Sequence, residues 1–247
     1  MIKKGPEEIE GKVPRRGEDN VSATREALAL SLSPLERYQE QYNQAIHLWQ
    51  TLGIDITSIP PWEHIAAQVT PEILARTKDF RASRLILIPP ISRDAMIQAL
   101  VKKFGAALAP YMHNFSDNNL WNNGREEELV WQGMIVETGK IPFDHKKQHK
   151  KSSDTQVIGL LKKYQAMGLS TVSSVRAALS IRLLDLLSDL PLDTLTLVVL
   201  NAEQVEKNPA IPLAGMFCEG KKLTFAPADR GEKATDIRLI PAIELAI

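Results

Sequence analysis

Cysteine is almost absent from this chain, which removes two kinds of chemistry. The single cysteine, Cys218, cannot form a disulfide within the chain. Because no Cys-x-x-Cys pair is present, neither a zinc site of that type nor a dithiol redox centre is expected. Nothing beside Cys218 marks an activated thiolate, and we interpret it as a buried structural residue of an apolar strand.

Long apolar runs and an excess of one charge are also missing. The strongest apolar runs, residues 85–88 and 195–200, are far shorter than the roughly 20 residues that span a bilayer. Residues 1–20 lack the apolar core of a signal peptide. Thirty basic residues balance thirty acidic ones, whereas dedicated nucleic-acid binders usually carry a basic excess. These absences favour a cytoplasmic protein that does not associate with membranes.

Complete catalytic motifs are missing as well. Residues 133–140 (GMIVETGK) resemble a phosphate-binding loop, but five residues separate the two glycines, and Ile141 stands where a serine or threonine would bind magnesium. Residues 116–118 (SDN) match one element of the serine β-lactamase signature, and the other two elements are absent. The sequence therefore predicts no cofactor and favours a non-catalytic protein.

What the chain does contain is an ordinary globular composition, with 44% hydrophobic and 24% charged residues among 247. Residues 1–20 are polar and mixed in charge, which predicts a flexible tail. Apolar residues nearly vanish over 144–153, which predicts a polar, basic loop or linker. We therefore expect a mainly helical domain at 21–143 and an α/β part at 154–247, with a single domain over 21–247 as the alternative.

Helix signals dominate the first part of the chain. Residues 33–36 (SPLE) combine a cap, a proline at the first helical position and a capping-box glutamate. Apolar residues then recur at three- and four-residue steps up to Leu52, and we interpret the tyrosines and tryptophan among them as core residues. Similar signals predict helices over about 61–66, 71–80, 92–104, 125–138, 154–167 and 170–186.

Strand signals are weaker and more frequent near the end of the chain. Apolar runs at 85–88 and 194–200 predict buried strands, and Gly220 between apolar triplets predicts a hairpin. Residues 237–245 alternate in polarity but contain Pro241, which predicts a strand at a sheet edge or with a bulge. Together these elements predict an α+β fold, in which the C-terminal helices pack on a small, mainly antiparallel sheet.

Lysines cluster around the predicted linker. Their charges would neutralise phosphates and give a salt-sensitive contact with nucleic acid. The aromatic residues on which single-strand binders stack bases are few here, and a solvated basic loop is the alternative interpretation. The candidate nucleic-acid-binding residues are Lys140, Lys146, Lys147, Lys150, Lys151, Lys162 and Lys163.

Two pairs of potential metal ligands share a four-residue spacing, His113 with Asp117 and His145 with His149. That spacing aligns ligands on one face of a helix. Neither segment has a helical pattern, however, and the lysines around the second pair oppose a divalent cation. Solvated surface histidines are therefore the alternative interpretation.

Three functions remain after these exclusions. A non-catalytic binding or accessory protein is favoured, because no complete catalytic motif is found. Association with nucleic acid through the lysines is the second hypothesis, and a metal-dependent hydrolase using His113, Asp117, His145 and His149 is the third. The sequence indicates no particular ligand; it is compatible with a protein partner, favours a nucleic acid less and gives no reason to expect a membrane.

Overall fold

The computed structural model describes residues 32–80, 82–104, 128–137, 153–187, 197–208, 210, 213–219, 222–228 and 237–247. Within these residues, the chain forms helices and two four-stranded sheets. The predicted α+β class is thereby confirmed. The predicted flexible tail lies outside the described residues. In the described stretches, no helix has the length and apolar character needed to cross a membrane.

The helices and strands are numbered in chain order. The helices are α1 (Pro34–Thr51), α2 (Trp62–Gln68), α3 (Pro71–Arg76), α4 (Arg93–Phe104), α5 (Ser153–Ala166), α6 (Val175–Leu187) and α7 (Ala202–Lys207). A 3₁₀ turn, Thr77–Asp79, follows α3. The strands are β1 (Ser83–Ile88), β2 (Gln132–Glu137), β3 (Ser170–Thr171), β4 (Leu197–Val199), β5 (Leu213–Glu219), β6 (Lys222–Ala228), β7 (Ile237–Arg238) and β8 (Pro241–Leu245).

Helix α1 begins at the predicted capping box. The Ser33 hydroxyl accepts a hydrogen bond from the Glu36 backbone N–H at 3.3 Å, and the Glu36 carboxylate accepts one from the Ser33 N–H at 2.7 Å. These two bonds satisfy donors that the start of a helix leaves unpaired. The tyrosines and tryptophan of the predicted apolar stripe are buried, so their interpretation as core residues is confirmed.

The first sheet has the strand order β1-β2-β8-β3, and α1 covers its β1 edge. The side-chain oxygen of Gln41 accepts a hydrogen bond from the Leu85 N–H at 2.8 Å. The indole of Trp49 donates one to the Leu87 carbonyl at 3.1 Å. An exposed strand edge is a template for further pairing. Side chains of α1 therefore occupy, at these two positions, the place that another strand would take.

Strand β2 corrects the prediction of a helix over 125–138. Residues 132–137 pair with β1 on one side, and residues 133–136 pair with β8 on the other. The acidic run before them suggested a first helical turn, but Glu128, its one described residue, is not helical. The glycine and the β-branched pair Ile135-Val136 disfavour a helix, and burial on both sheet faces decides the matter, since residues 133–137 are all buried.

The chain between α5 and α6 corrects a second prediction. Gly168 ends α5 with φ +68°, its N–H bonds to the carbonyl of Gln165, and the Leu169 N–H bonds to the carbonyl of Tyr164. These two bonds form a Schellman motif. Residues 170–171, predicted to begin a helix, instead form β3 against β8, and α6 starts only after Ser174.

Pro241 also lies in a different place from the one predicted. Strand β8 runs between β2 and β3, so it is an interior strand of the first sheet and not an edge strand. Pro241 is its first residue, and the pairing with β2 begins one residue later, at Ala242. The missing N–H of proline therefore falls at the end of that ladder and interrupts none of the pairs within it.

The second sheet has the order β6-β5-β4-β7. Strands β5 and β6 form the predicted hairpin, and β4 pairs antiparallel with β5 and parallel with β7. Cys218 belongs to β5, while the predicted burial of its side chain stays a prediction. Strand β7 continues through the buried residues Leu239 and Ile240 into β8, so one stretch of chain joins the two sheets.

The predicted linker at 144–153 is described only at Ser153, the first residue of α5. Strands β1 and β2 precede that segment and β3 and β8 follow it, so the first sheet takes strands from both sides. The division of the chain into two domains stays a prediction.

Candidate functional site

A cleft of about 350 Å³ opens at the end of the β2–β8 pair. Residues 130–134, at the start of β2, form one side, and residues 244–247, at the end of β8, form another. The third side is the connection from β3 to α6, with Thr171, Ser173 and Ser174. The cleft therefore brings together three stretches of chain that are far apart in sequence.

One edge of β8 is open beside this cleft. The Val172 N–H donates to the Ile240 carbonyl at 2.9 Å, and the pairing of β3 with β8 reaches no further than Ala242. Because every second residue of a strand directs its backbone polar groups to the same edge, those of Glu244 and Ala246 point to this one. Within the described residues, neither has a pairing partner there.

The Gly168 turn explains why the edge is open. In the register of β3 on β8, Gly168 and Leu169 would be the next residues beside β8. Both of their N–H groups are bonded to carbonyls at the end of α5 instead. The end of the helix thus limits β3 to two residues, and no other described residue pairs with the last part of β8 on that side.

Polar groups line the side of the cleft formed by the α6 connection. The Ser174 hydroxyl accepts a hydrogen bond from the Ala177 N–H at 3.3 Å and so caps α6. Ser173 is partly exposed and Thr171 is buried. The Gln132 amide adds a donor and an acceptor from β2. These groups can bond to a polar ligand or to the backbone of a peptide.

Apolar groups form the β2 side. Trp131 is buried, and its indole N–H donates to the Ser58 hydroxyl at 3.1 Å, which fixes the ring at the entry to β2. Leu129 and Val130 just before it are 52% and 43% exposed. Two neighbouring large apolar side chains in water beside a cleft offer area for contact with a partner.

Gly133 makes room for the end of the chain. A Cβ atom at this position would lie 3.0 Å from the Cδ1 of Ile247 and 3.5 Å from the Cβ of Leu245. The Ile247 side chain therefore packs directly on the β2 backbone. This close approach gives Gly133 a packing function at the cleft that the sequence did not indicate.

Arg176 holds the β2 side of the cleft in place from the first turn of α6. Its side chain is 1% exposed and donates to the carbonyls of Pro89 at 2.6 Å, Glu128 at 3.1 Å and Val130 at 3.3 Å. A buried guanidinium is costly unless it is hydrogen-bonded. Its bonds tie the end of β1 to the segment that leads into β2.

Glu244 gives the cleft its charge. Its side chain is exposed, and it is the only charged side chain among the described residues that line the cleft. No described basic side chain forms an ion pair with it. The site therefore presents one carboxylate among hydroxyl, amide and apolar groups, which favours a cationic or neutral ligand over an anionic one.

Three groups elsewhere have shifted pKa values with local causes. Burial, together with the charge of Glu63, raises the pKa of Tyr42. The hydrogen bonds to Ser33 lower the pKa of Glu36, and those to Thr57 lower the pKa of Asp55. None of the three residues lines the cleft, and their shifts follow from helix capping, a turn and core packing.

The lysine set is described only in part. Lys162 and Lys163 are exposed neighbours on α5, and the Lys162 ammonium lies 3.7 Å from the Glu206 carboxylate of α7. An acidic partner beside one of the two lowers the net positive charge of this face. The other five lysines lie outside the described residues, so association with nucleic acid stays a prediction.

The four potential metal ligands, His113, Asp117, His145 and His149, all lie outside the described residues. In the stretches that the structure describes, no group of three or more histidine, cysteine or acidic side chains is placed to hold a metal ion. The metal-dependent hydrolase likewise stays a prediction.

Sequence reasoning did not find the cleft. Arg176 reads as one basic residue in an amphipathic helix, and Glu244 as the polar position of an alternating strand. Only the antiparallel pairing of β2 with β8 brings residue 133 beside residue 245. The one local feature of the sequence that contributes to the cleft was Gly168, which marked the end of a helix.

Comparison with known proteins adds no relative: no protein-family model matches the chain, and neither the curated proteins nor the solved structures provide a match.

Proposed function

We propose that this protein is a non-catalytic binding protein, and that its cleft holds an extended segment of a partner protein as an added strand on β8. The observation that carries the proposal is the open edge. Strand β8 continues to Leu245, while its pairing with β3 stops at Ala242. A peptide that adds to an open sheet edge gains main-chain hydrogen bonds, and neighbouring pockets select its side chains.

The surroundings of the edge support this mode of binding. Gln41 and Trp49 cover the opposite edge of the same sheet, whereas the end of β8 has no pairing partner on its β3 side among the described residues. The cleft beside β8 supplies the hydroxyls of Ser173 and Ser174 and the exposed side chain of Val130. A groove with polar and apolar walls suits a peptide, which has both kinds of group.

The test removes one backbone donor from the edge. Ala246→Pro deletes the N–H that points to the open side, and the extended residue before it is compatible with a following proline. Ala246→Ser is the matched control, because it changes the side chain and keeps the donor. Both variants are screened, beside the unchanged protein, against a displayed library of random peptides about seven residues long, near the length of an ordinary strand.

We expect peptides to be enriched on the unchanged protein and on Ala246→Ser. The same peptides should bind Ala246→Pro about tenfold more weakly or worse, since a lost hydrogen bond and a blocked edge together cost more than about 1 kcal/mol. Equal binding to Ala246→Pro, or no enriched peptide at all, would refute the proposal. A third outcome is that no peptide binds, but the unchanged protein self-associates and Ala246→Pro abolishes this self-association. That result would assign the edge to a second copy of the chain instead.

A further inference from the structure

The cleft also indicates which peptides it would accept. We infer that the added strand carries a lysine or arginine opposite Glu244 and an apolar residue directly next to it. This inference rests on the proposed function, because it concerns the side chains of a segment bound at the β8 edge.

The basic residue follows from the charge of the site. Residues directly opposite each other on neighbouring strands have Cβ atoms about 4.5–5.5 Å apart, so the partner residue at this position meets Glu244 on the same face of the sheet. Glu244 is exposed, and no described basic side chain is ion-paired with it. A lysine or arginine there meets the Glu244 carboxylate, whereas an aspartate or glutamate is repelled.

The apolar residue follows from the two-residue period of a strand. The next residue of the peptide points to the other face, on which Leu245 lies. Leu245 is buried, and the side chain of Ile247 packs beside it over Gly133. A valine, isoleucine or leucine at that position extends this apolar surface, while a charged residue would lose water without gaining a partner.

The same charge argument separates this partner from a second copy of the chain. If two β8 edges paired antiparallel with residues 244–246 in the ladder, the two Glu244 side chains would lie opposite each other or one diagonal apart. Both arrangements bring like charges within about 8 Å. A basic segment of another protein avoids that repulsion, so it is the occupant that fits the edge.

The experiment repeats the library screen with charge variants. Glu244→Lys reverses the charge at the site and Glu244→Gln removes it. Glu203→Lys is the matched control, because Glu203 is an exposed glutamate on α7 that does not line the cleft. We expect lysine or arginine to be enriched next to an apolar residue on the unchanged protein and on Glu203→Lys.

Individual enriched peptides should bind Glu244→Gln about threefold more weakly, in keeping with one exposed ion pair. Glu244→Lys should select acidic residues at the same position, and the preference should weaken with added salt. The same basic preference on Glu244→Lys, or no preference on the unchanged protein, would overturn this inference. If the enriched peptides still bound Ala246→Pro more weakly than the unchanged protein, the proposed function would stand without this inference. If no enriched peptide bound Ala246→Pro more weakly, the proposed function and this inference would both be refuted.

Discussion

The indole N–H of Trp49 donates a hydrogen bond to the backbone carbonyl of Leu87, 3.1 Å away at the outer edge of β1. Eight residues earlier on α1, Gln41 bonds to the same edge through the Leu85 N–H. One helix thus satisfies both a donor and an acceptor of an edge strand. The two bonds make α1 part of the sheet as well as part of the core.

Trp49→Phe is expected to lower the free energy of unfolding by about 1–3 kcal/mol beyond the loss of volume, because it leaves the buried Leu87 carbonyl without its donor. Trp131→Phe is the matched control. It removes an equal number of atoms, but the donor it takes away serves the hydroxyl of Ser58, which is exposed and can bond to water. Urea unfolding of both variants measures the difference. Equal losses of unfolding free energy in the two variants would show that the hydrogen bond of Trp49 adds no stability beyond that of its packing.

Arg176→Lys is expected to destabilise the protein by about 2 kcal/mol, because an ammonium cannot reproduce the forked geometry that reaches the carbonyls of Pro89, Glu128 and Val130. Hydrogen exchange should also quicken at the entry to β2, where two of these carbonyls lie. Arg37→Lys, at a partly exposed position of α1, is the control and should change stability by less than about 0.5 kcal/mol. Unchanged exchange around residue 130 would contradict the positioning assigned to Arg176.

The capping box of α1 predicts a dependence on pH. Its hydrogen bonds to Ser33 hold the pKa of Glu36 below the ordinary value of 4.5. A group whose pKa is lowered by folding contributes stability above its unfolded pKa and loses it as the pH falls through the folded pKa. Ser33→Ala should therefore lower the Tm at neutral pH, and the difference from the unchanged protein should shrink below about pH 4.

An NMR titration of the Glu36 carboxyl checks the cause directly. In Ser33→Ala its pKa should rise towards the ordinary value, because the hydroxyl that accounts for the largest part of the shift is gone. Asp55, whose pKa is lowered by Thr57, serves as the internal control and should titrate as before. A Glu36 pKa that did not move would refute the assignment to the cap.

Two glycines, one inside α5 and one just after its end, should respond to alanine in opposite directions. Gly168→Ala forces a side chain into the left-handed region and should cost about 1 kcal/mol. Gly159 lies inside the same helix, and a Cβ there meets no atom within 4 Å. Gly159→Ala should therefore stabilise the protein by about 0.5–1 kcal/mol. Denaturant unfolding of the pair provides the test, and a loss of stability in Gly159→Ala would contradict it.

Local signals predicted local structure well. The cap at residues 33–36, the apolar run at 85–88 and the hairpin around residue 220 each depend on neighbours in sequence, and each is found in its predicted place. The prediction of a helix over 125–138 was wrong because its acidic start resembled a first turn. Pairing with two strands that are distant in sequence, β1 and β8, decided the conformation of β2.

The candidate site could not be predicted for the same reason. Its walls come from three separate stretches, and its open edge exists only because the α5–β3 connection turns away at Gly168. The prediction that the strand at residues 237–245 lies at a sheet edge was wrong, because β8 runs between β2 and β3. The prediction expected part of this strand to lack a neighbouring strand, but it did not place that part after Ala242.

The turn at Gly168 has a further consequence for the evolution and engineering of the cleft. Because this turn determines where β3 ends, it also determines how many residues of β8 remain unpaired by β3. A residue inserted between α5 and β3 would let β3 pair with more of β8, and a deleted residue would let it pair with less. Neither change would replace a side chain of the cleft. The length of the proposed binding edge would thus change through a turn whose Gly168 and Leu169 do not line the cleft.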